Sequence, residues 1–308
     1  MINRILIRIK VLQIVYSYYQ TENKDLKAAE SELLFSLRKS YDLYHYFLLL
    51  IVELTNLQRR IIDTKKNKFM PSQEELNPNT KFIDNRFAMQ VAQNLQLQKY
   101  CSEHAIVWEA DDNFVKSLLD TILTSDIYAE YLASEDNSFE NDREFWRKVF
   151  KQFICNNDFV TDYLEDKSIY WNDDIEIVQT FVLKTIKKFE EEKGADFELL
   201  PMFRDIEDHQ FAVKLFRQSI VKGSDYKERI NKHIKNWEAE RIATMDLVIM
   251  QVAIAELISF PSIPISVTFN EYIDSAKHYS TPKSSTFING ILDAVVKELK
   301  NENLLFKN

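Results

Sequence analysis

The chain has 308 residues, 45% hydrophobic and 28% charged, with a formal net charge of −9, a globular balance that excludes disordered and fibrous classes. It contains only 3 Gly and 6 Pro, which excludes folds that need positive φ at many turns, such as Gly-rich nucleotide sites, propellers and β-sandwiches. Its two cysteines, Cys101 and Cys155, furnish neither a disulfide framework nor a four-thiolate zinc site.

Long stretches without helix breakers predict an all-α protein. Asn3 to Gln20 carries Ile5, Ile9, Leu12, Tyr16 and Tyr19 at helical spacing, which predicts a first helix. A second runs from Asp25, a cap or first-turn acid, through Arg38. A third is expected from about Tyr41 to Thr64, closing on the basic run Lys65-Lys66-Asn67-Lys68, which suits a helix C-terminal dipole. Residues 68–82, with Pro71 and Pro78, read as a loop. Amphipathic helical stretches follow to about 200, the last from Ile175 to Lys193 with Gly194 as its C′ residue. After Pro201 helices are expected from Asp205 to Lys222, from Ser224 as a cap, from Glu238 to Phe260, near Val267–Tyr279 and over Ser284–Lys300. The apolar run from Tyr46 to Val52 is far short of the about 20 residues a membrane helix needs. With no small-residue cleavage site after the basic N-terminus, a cytoplasmic protein is expected.

The charge divides the chain. Residues 41–204 hold 30 acidic and 19 basic side chains, whereas 1–40 plus 205–308 hold 18 and 20. The first twenty residues carry Arg4, Arg8 and Lys10 and no carboxylate. Two modules are implied, the middle one acidic.

Catalytic chemistry finds no foothold. Cys101 and His104 share a helix face but have no third ligand nearby. His45, His209, His233 and His278 show neither ligand spacing nor a nucleophile–base motif. Gly194, Gly223 and Gly290 are too far apart for a phosphate loop. Asp111-Asp112 and Asp173-Asp174 read as solvated helix starts. No catalytic residue, metal site or cofactor is expected.

The C-terminal stretch is the informative one. Asn289-Gly290 interrupts a helical pattern in which Gly costs about 1 kcal/mol relative to Ala, and close approach of a backbone or ligand is the usual reason. Asn270-Glu271 sets two polar residues between Phe269 and Ile273. Pro264, Val267, Asn270-Glu271, Ala276-Lys277, Ser284 and Phe287-x-Asn289-Gly290-x-Leu292-Asp293 form a spaced signature that closely resembles the NusB family of transcription antitermination factors. The segment Arg8-Ile-Lys-Val-Leu-Gln13-Ile-Val-Tyr16-Ser17 is similar to that family's first helix. The resemblance covers about residues 1–40 and 207–300, which assigns 1–40 plus 205–308 to one domain and leaves 41–204 as an inserted acidic helical module without a counterpart.

That resemblance implies an all-α helical-bundle domain that binds boxA-type single-stranded RNA of ribosomal RNA transcripts. It binds together with the ribosomal protein NusE, in the RNA polymerase antitermination complex, with no cofactor and no membrane. Carried over by position, Arg4, Arg8, Lys10 and Gln13 would face RNA from one side and Ser285, Phe287 and Asn289 from the other. Cations would neutralise phosphates while ring and amide stack on and read unpaired bases. Phe287 is equally readable as core. Tyr16 and Asp246 fall on the NusE side, Asp246 as an exposed carboxylate for a basic partner or as a helix-dipole residue. The chain departs from the family pattern at Ile5, Leu6, Thr286 and Gln251, where cations are usual. Those losses leave open a second reading: a protein-interaction scaffold with weakened RNA binding that works through its acidic insertion.

Overall fold

The computed structural model describes residues 1–22, 24–109, 113–234 and 242–305. These are all-α: the only pairing of extended backbone among them is an isolated parallel bridge between Ile2 and Phe203. In chain order the helices are α1 (Arg4–Gln20), α2 (Leu26–Lys66), α3 (Gln73–Leu76), α4 (Arg86–Gln93), α5 (Leu95–His104), α6 (Asn113–Leu123), α7 (Asp126–Ala133) and α8 (Phe139–Val149). Then come α9 (Asp158–Lys167), α10 (Ile175–Lys188), α11 (Ile206–Val221), α12 (Gly223–His233), α13 (Thr244–Ser259), α14 (Ile265–Tyr279) and α15 (Ser284–Asn301). A π-helical turn, Phe150–Ile154, continues α8, and a 3₁₀ segment, Glu191–Asp196, follows α10.

Several local expectations need correction. The second and third predicted helices are one 41-residue helix, α2. No Gly or Pro interrupts Lys39-Ser40, and the Ser40 hydroxyl donates to Asp174 at 2.7 Å instead of capping a turn. Asp174 does stand at a helix start, the N-terminus of α10, but it is fully buried and not solvated as expected. The helix from Ile175 ends at Lys188, because Phe189 turns into the core to stack on Phe197 at 3.9 Å; Gly194, at φ +51°, lies in the segment beyond. Ser224 caps nothing: α12 begins one residue earlier, at Gly223. The segment 68–82 contains the one-turn α3, closed by a reciprocal capping box between Ser72 and Glu75. Asp111, Asp112 and the expected helix start at Glu238 lie outside the described residues.

The chain forms two compact units, one made of Met1 with Arg38–Met202 and the other of Ile2–Leu37 with Phe203–Asn308. In the first, α8 packs on α4, α7 and α10 around an aromatic core in which Trp146, Phe87, Phe139, Phe150 and Phe189 are fully buried. One buried polar cluster there, around Asn85 and Asp142, pairs its groups internally. The Asn85 side chain caps α4 by accepting from the Ala88 amide and donates to Tyr131 Oη at 3.0 Å. The Asp142 carboxylate accepts from Tyr131 at 2.6 Å and from the Arg86 amide at 2.7 Å.

The second unit is a bundle around α13, which packs on α1, α11, α12, α14 and α15. The reason lies in its sequence: from Val248 to Leu257 every residue is buried, since a helix apolar on all sides can only be a core helix. Around it α1 is capped by Asn3, whose side chain accepts from the Leu6 amide, and α11 by Asp205, which accepts from the Asp208 amide.

Candidate nucleic-acid interface

Two polar residues interrupt the apolar run of α13, Gln251 and Glu256, and both are fully buried. A lone carboxylate there would be prohibitive unless ionically paired and hydrogen-bonded. Arg8 supplies the pair, donating through Nε to Glu256 Oε2 and through a terminal nitrogen to Oε1, both at 2.8 Å. Two hydroxyls of α14 complete the shell, Thr268 donating to Oε1 and Tyr272 to Oε2, each at 2.9 Å. Glu271 lies 3.5 Å from the other guanidinium nitrogen. Burial pulls the Arg8 pKa down, but the Glu256 hydrogen bonds and charge outweigh it, so the value is raised. Burial pushes the Tyr272 hydroxyl well up, and the Glu256 charge adds to it. Glu271 is also raised, first by burial and then by Glu256 and Asp274, against the pull of Arg8.

This network corrects the expected role of Arg8. Its side chain is 4% exposed and bonded to a carboxylate, so it ties α1 to α13 and α14 and presents no charge to a phosphate. Lys10 is likewise enclosed, at 1% exposure, and cannot reach solvent-borne RNA. Arg4 keeps partial exposure, 34%, yet its Nε lies 3.3 Å from Asp208 and its guanidinium 5.1 Å from the Phe211 ring centre. Gln13 and Tyr16 are half-buried.

Asp246, at the other end of α13, is buried and not exposed as expected. Its carboxylate accepts from the hydroxyls of Ser280 and Ser284, the latter at 2.9 Å, and so fastens the end of α14 and the start of α15. It is a structural tie and offers nothing to a partner in this arrangement. Along α13, Asp246 and Glu256 are ten residues apart, about 15 Å of helix rise. The start of α15 is thus anchored at one level of the bundle and Arg8 at another.

At α15 itself, Ser284, Ile288, Ile291, Leu292 and Val295 turn inward, while Ser285 and Phe287 are half-buried and Asn289 and Gly290 exposed. Gly290 has open space where a Cβ would stand, so no internal close approach explains it. The close approach is at Gly223, where a Cβ would meet Tyr19 Oη at 2.5 Å and Gln251 Nε2 at 2.8 Å. Gln251 donates to both Tyr19 Oη, at 2.7 Å, and the Ser219 carbonyl, at 2.5 Å. Reading by residue type passed over Glu256, Thr268 and Tyr272. The available signal was an acid inside an otherwise unbroken apolar helix, which demands a cation from elsewhere. Among the described residues no three His, Cys, Asp or Glu side chains are grouped to hold a metal, and no helix is long and apolar enough to cross a membrane.

A bundle in which α1 packs with α11 to α15 around the buried α13 defines a discontinuous all-α helical-bundle domain. Residues 174–297 match the NusB family. The Salinibacter ruber transcription antitermination protein NusB is 36% identical over 132 residues, covering 41% of this chain and 82% of that protein. The Chloroherpeton thalassium protein of the same name is 42% identical over 104 residues, covering 34% of this chain and about half, 49%, of its own length. Among solved structures, T. maritima NusB shares 30% identity over 38% of this chain and 82% of its own, with a TM-score of 0.29. The chain belongs to the NusB family.

Proposed function

We propose that this protein is an RNA-binding transcription antitermination factor that takes up boxA-type single-stranded RNA of ribosomal RNA transcripts together with NusE, and so joins the RNA polymerase antitermination complex in the cytoplasm. The observation that carries the reading is the start of α15. There Phe287-x-Asn289-Gly290-x-Leu292-Asp293 buries Leu292, leaves the Phe287 ring half-buried and exposes the Asn289 amide, a ring that can stack on an unpaired base and an amide that can read one. Ser285 lies about one helical turn before Asn289, and Gln13 and the partly exposed Arg4 are the remaining polar contacts on α1. Arg8 and Asp246 tie helices of the bundle together, and Lys10 is buried. On the NusE side this leaves Tyr16, half-buried near the end of α1.

One observation favours a scaffold that works without RNA: the carboxylates of Asp208 and Glu256 already neutralise Arg4 and Arg8. Fluorescence polarisation with boxA RNA and a shuffled RNA, with and without NusE, separates the two. The RNA reading expects tighter binding of boxA, strengthened by NusE and weakened by Phe287→Ala. NusE binding with no RNA in the complex establishes the scaffold, whereas equal affinity for both sequences overturns the boxA-specific reading.

A further inference from the structure

Two lysines stand against one tyrosine ring where α1 ends. Lys227 Nζ of α12 lies 3.6 Å from the Tyr19 ring centre, and Lys24 Nζ, just before α2, lies 5.6 Å from it. The ring is fixed from below, because Gln251, itself fully buried, donates to Tyr19 Oη, and Gly223 leaves just enough room for that contact. Neither ammonium has a carboxylate within ion-pair distance among the described residues. Of the nearest acids in sequence, Asp25 accepts from the Lys27 and Ala28 amides, Asp225 is 3.8 Å from Lys222, and Glu22 and Glu228 are exposed and form no ion pair among the described residues. Burial and the neighbouring charge of Lys24 both lower the Lys227 pKa. Cation–π contact holds each lysine to the ring, but the two repel each other, a conflict that folding alone does not require.

An anion bound between them would remove that conflict. The chemistry is that of a phosphate: two mobile ammonium groups, each with three donors, beside an aromatic face. We propose that Lys24, Lys227 and Tyr19 form a phosphate-binding site for the backbone of single-stranded RNA. This deepens the proposed function and rests on it. The site is anchored through Gln251, which lies along α13 between Asp246, where α15 begins, and Glu256, where Arg8 docks. It therefore supplies the positive charge that the neutralised N-terminal half of α1 does not. Free phosphate offers the same oxygens, so the test must distinguish the two sources.

The experiment is a salt titration of the full-length protein against boxA RNA and a shuffled RNA, comparing wild type with the K24Q/K227Q double variant. Neutralising two single-strand phosphates is worth a slope of about 1.4 in log affinity against log salt. The double variant is expected to lose about that much slope, equally for both sequences, whereas K24R/K227R keeps the wild-type value. A K222Q/K232Q variant, which removes the same charge from two other exposed positions, is expected to lose clearly less. Wild-type slope and affinity in K24Q/K227Q overturn the site while leaving the proposed function standing. So does binding of inorganic phosphate that K24Q/K227Q abolishes without any change in RNA affinity. Failure of the wild type to bind any RNA overturns both.

Discussion

The two ends of α1 use cations in opposite ways. Near its start Arg8 is buried against Glu256, and Arg4 is drawn to Asp208. Past its end, Lys24 and Lys227 crowd a single ring with no carboxylate between them among the described residues. A cation in a sequence is thus no measure of charge available to a ligand; what matters is whether the fold brings a carboxylate to it. In this bundle α13 and α14 bring Glu256 and Glu271 to one end of α1, while Gln251 brings only an amide to the other.

Removing Glu256 should break the first half of that comparison. Glu256→Ala leaves Arg8 buried and unpaired and is expected to lower stability by about 3–5 kcal/mol, the range for breaking one side of a buried ion pair. Replacing both partners with apolar residues should cost much less. Denaturant unfolding of the single and double variants checks it; equal losses would mean that the pair is not the source of the cost.

A buried base whose hydrogen bond goes to a backbone carbonyl sharpens the contrast. His45 is 1% exposed, with Nδ1 2.9 Å from the Tyr41 carbonyl and its ring stacked on Tyr100 at 3.9 Å. Burial lowers its pKa from 6.5 to about 4. Because the folded value lies below the unfolded one, the unfolded chain takes up the proton first as pH falls. Stability is then complete above about 6.5 and lost progressively down to about 4, by about 3 kcal/mol in all. Unfolding curves at pH 7 and 4.5 should show this loss in the wild type and a smaller one in His45→Gln.

Asp246→Ala removes the acceptor for Ser280 and Ser284 and is expected to destabilise by about 2 kcal/mol. Melting curves that stay unchanged, with NusE affinity reduced, would return Asp246 to the partner surface. The smallest effect belongs to Gly223→Ala. Helix propensity favours Ala by about 1 kcal/mol, but the new methyl meets Tyr19 and Gln251, and overpacking costs about 1–3 kcal/mol. A net loss of about 1 kcal/mol is expected; a net gain would show that the Tyr19 ring is free to move, and with it the lysine pair.

The helices were legible where periodicity and capping agree, as in α1 and α11, and where periodicity alone is clear, as in α14 and α15. Their side chains repeat at helical spacing, and Asn3 and Asp205 cap as their type suggests. The continuity of α2 was not legible, because Lys39-Ser40 looks like a polar break until Ser40 finds Asp174, 134 residues away. The fate of the cations was hidden for the same reason. Arg8 and Glu256 are separated by 248 residues, and nothing local to Arg8 announces its partner. The α15 signature, by contrast, was readable as a spaced pattern, and its exposed Asn289 is a property of one helix face alone.

The most direct test of the account is a comparison of N289A with K24Q/K227Q in one salt titration of boxA RNA and shuffled RNA. Base contacts specify and phosphate contacts position. N289A should therefore reduce the ratio of boxA to shuffled affinity and leave the salt slope unchanged, while K24Q/K227Q reduces the slope and leaves the ratio unchanged. Both variants altering the ratio and the slope together, or neither altering either, would contradict the division of labour between α15 and the lysine pair.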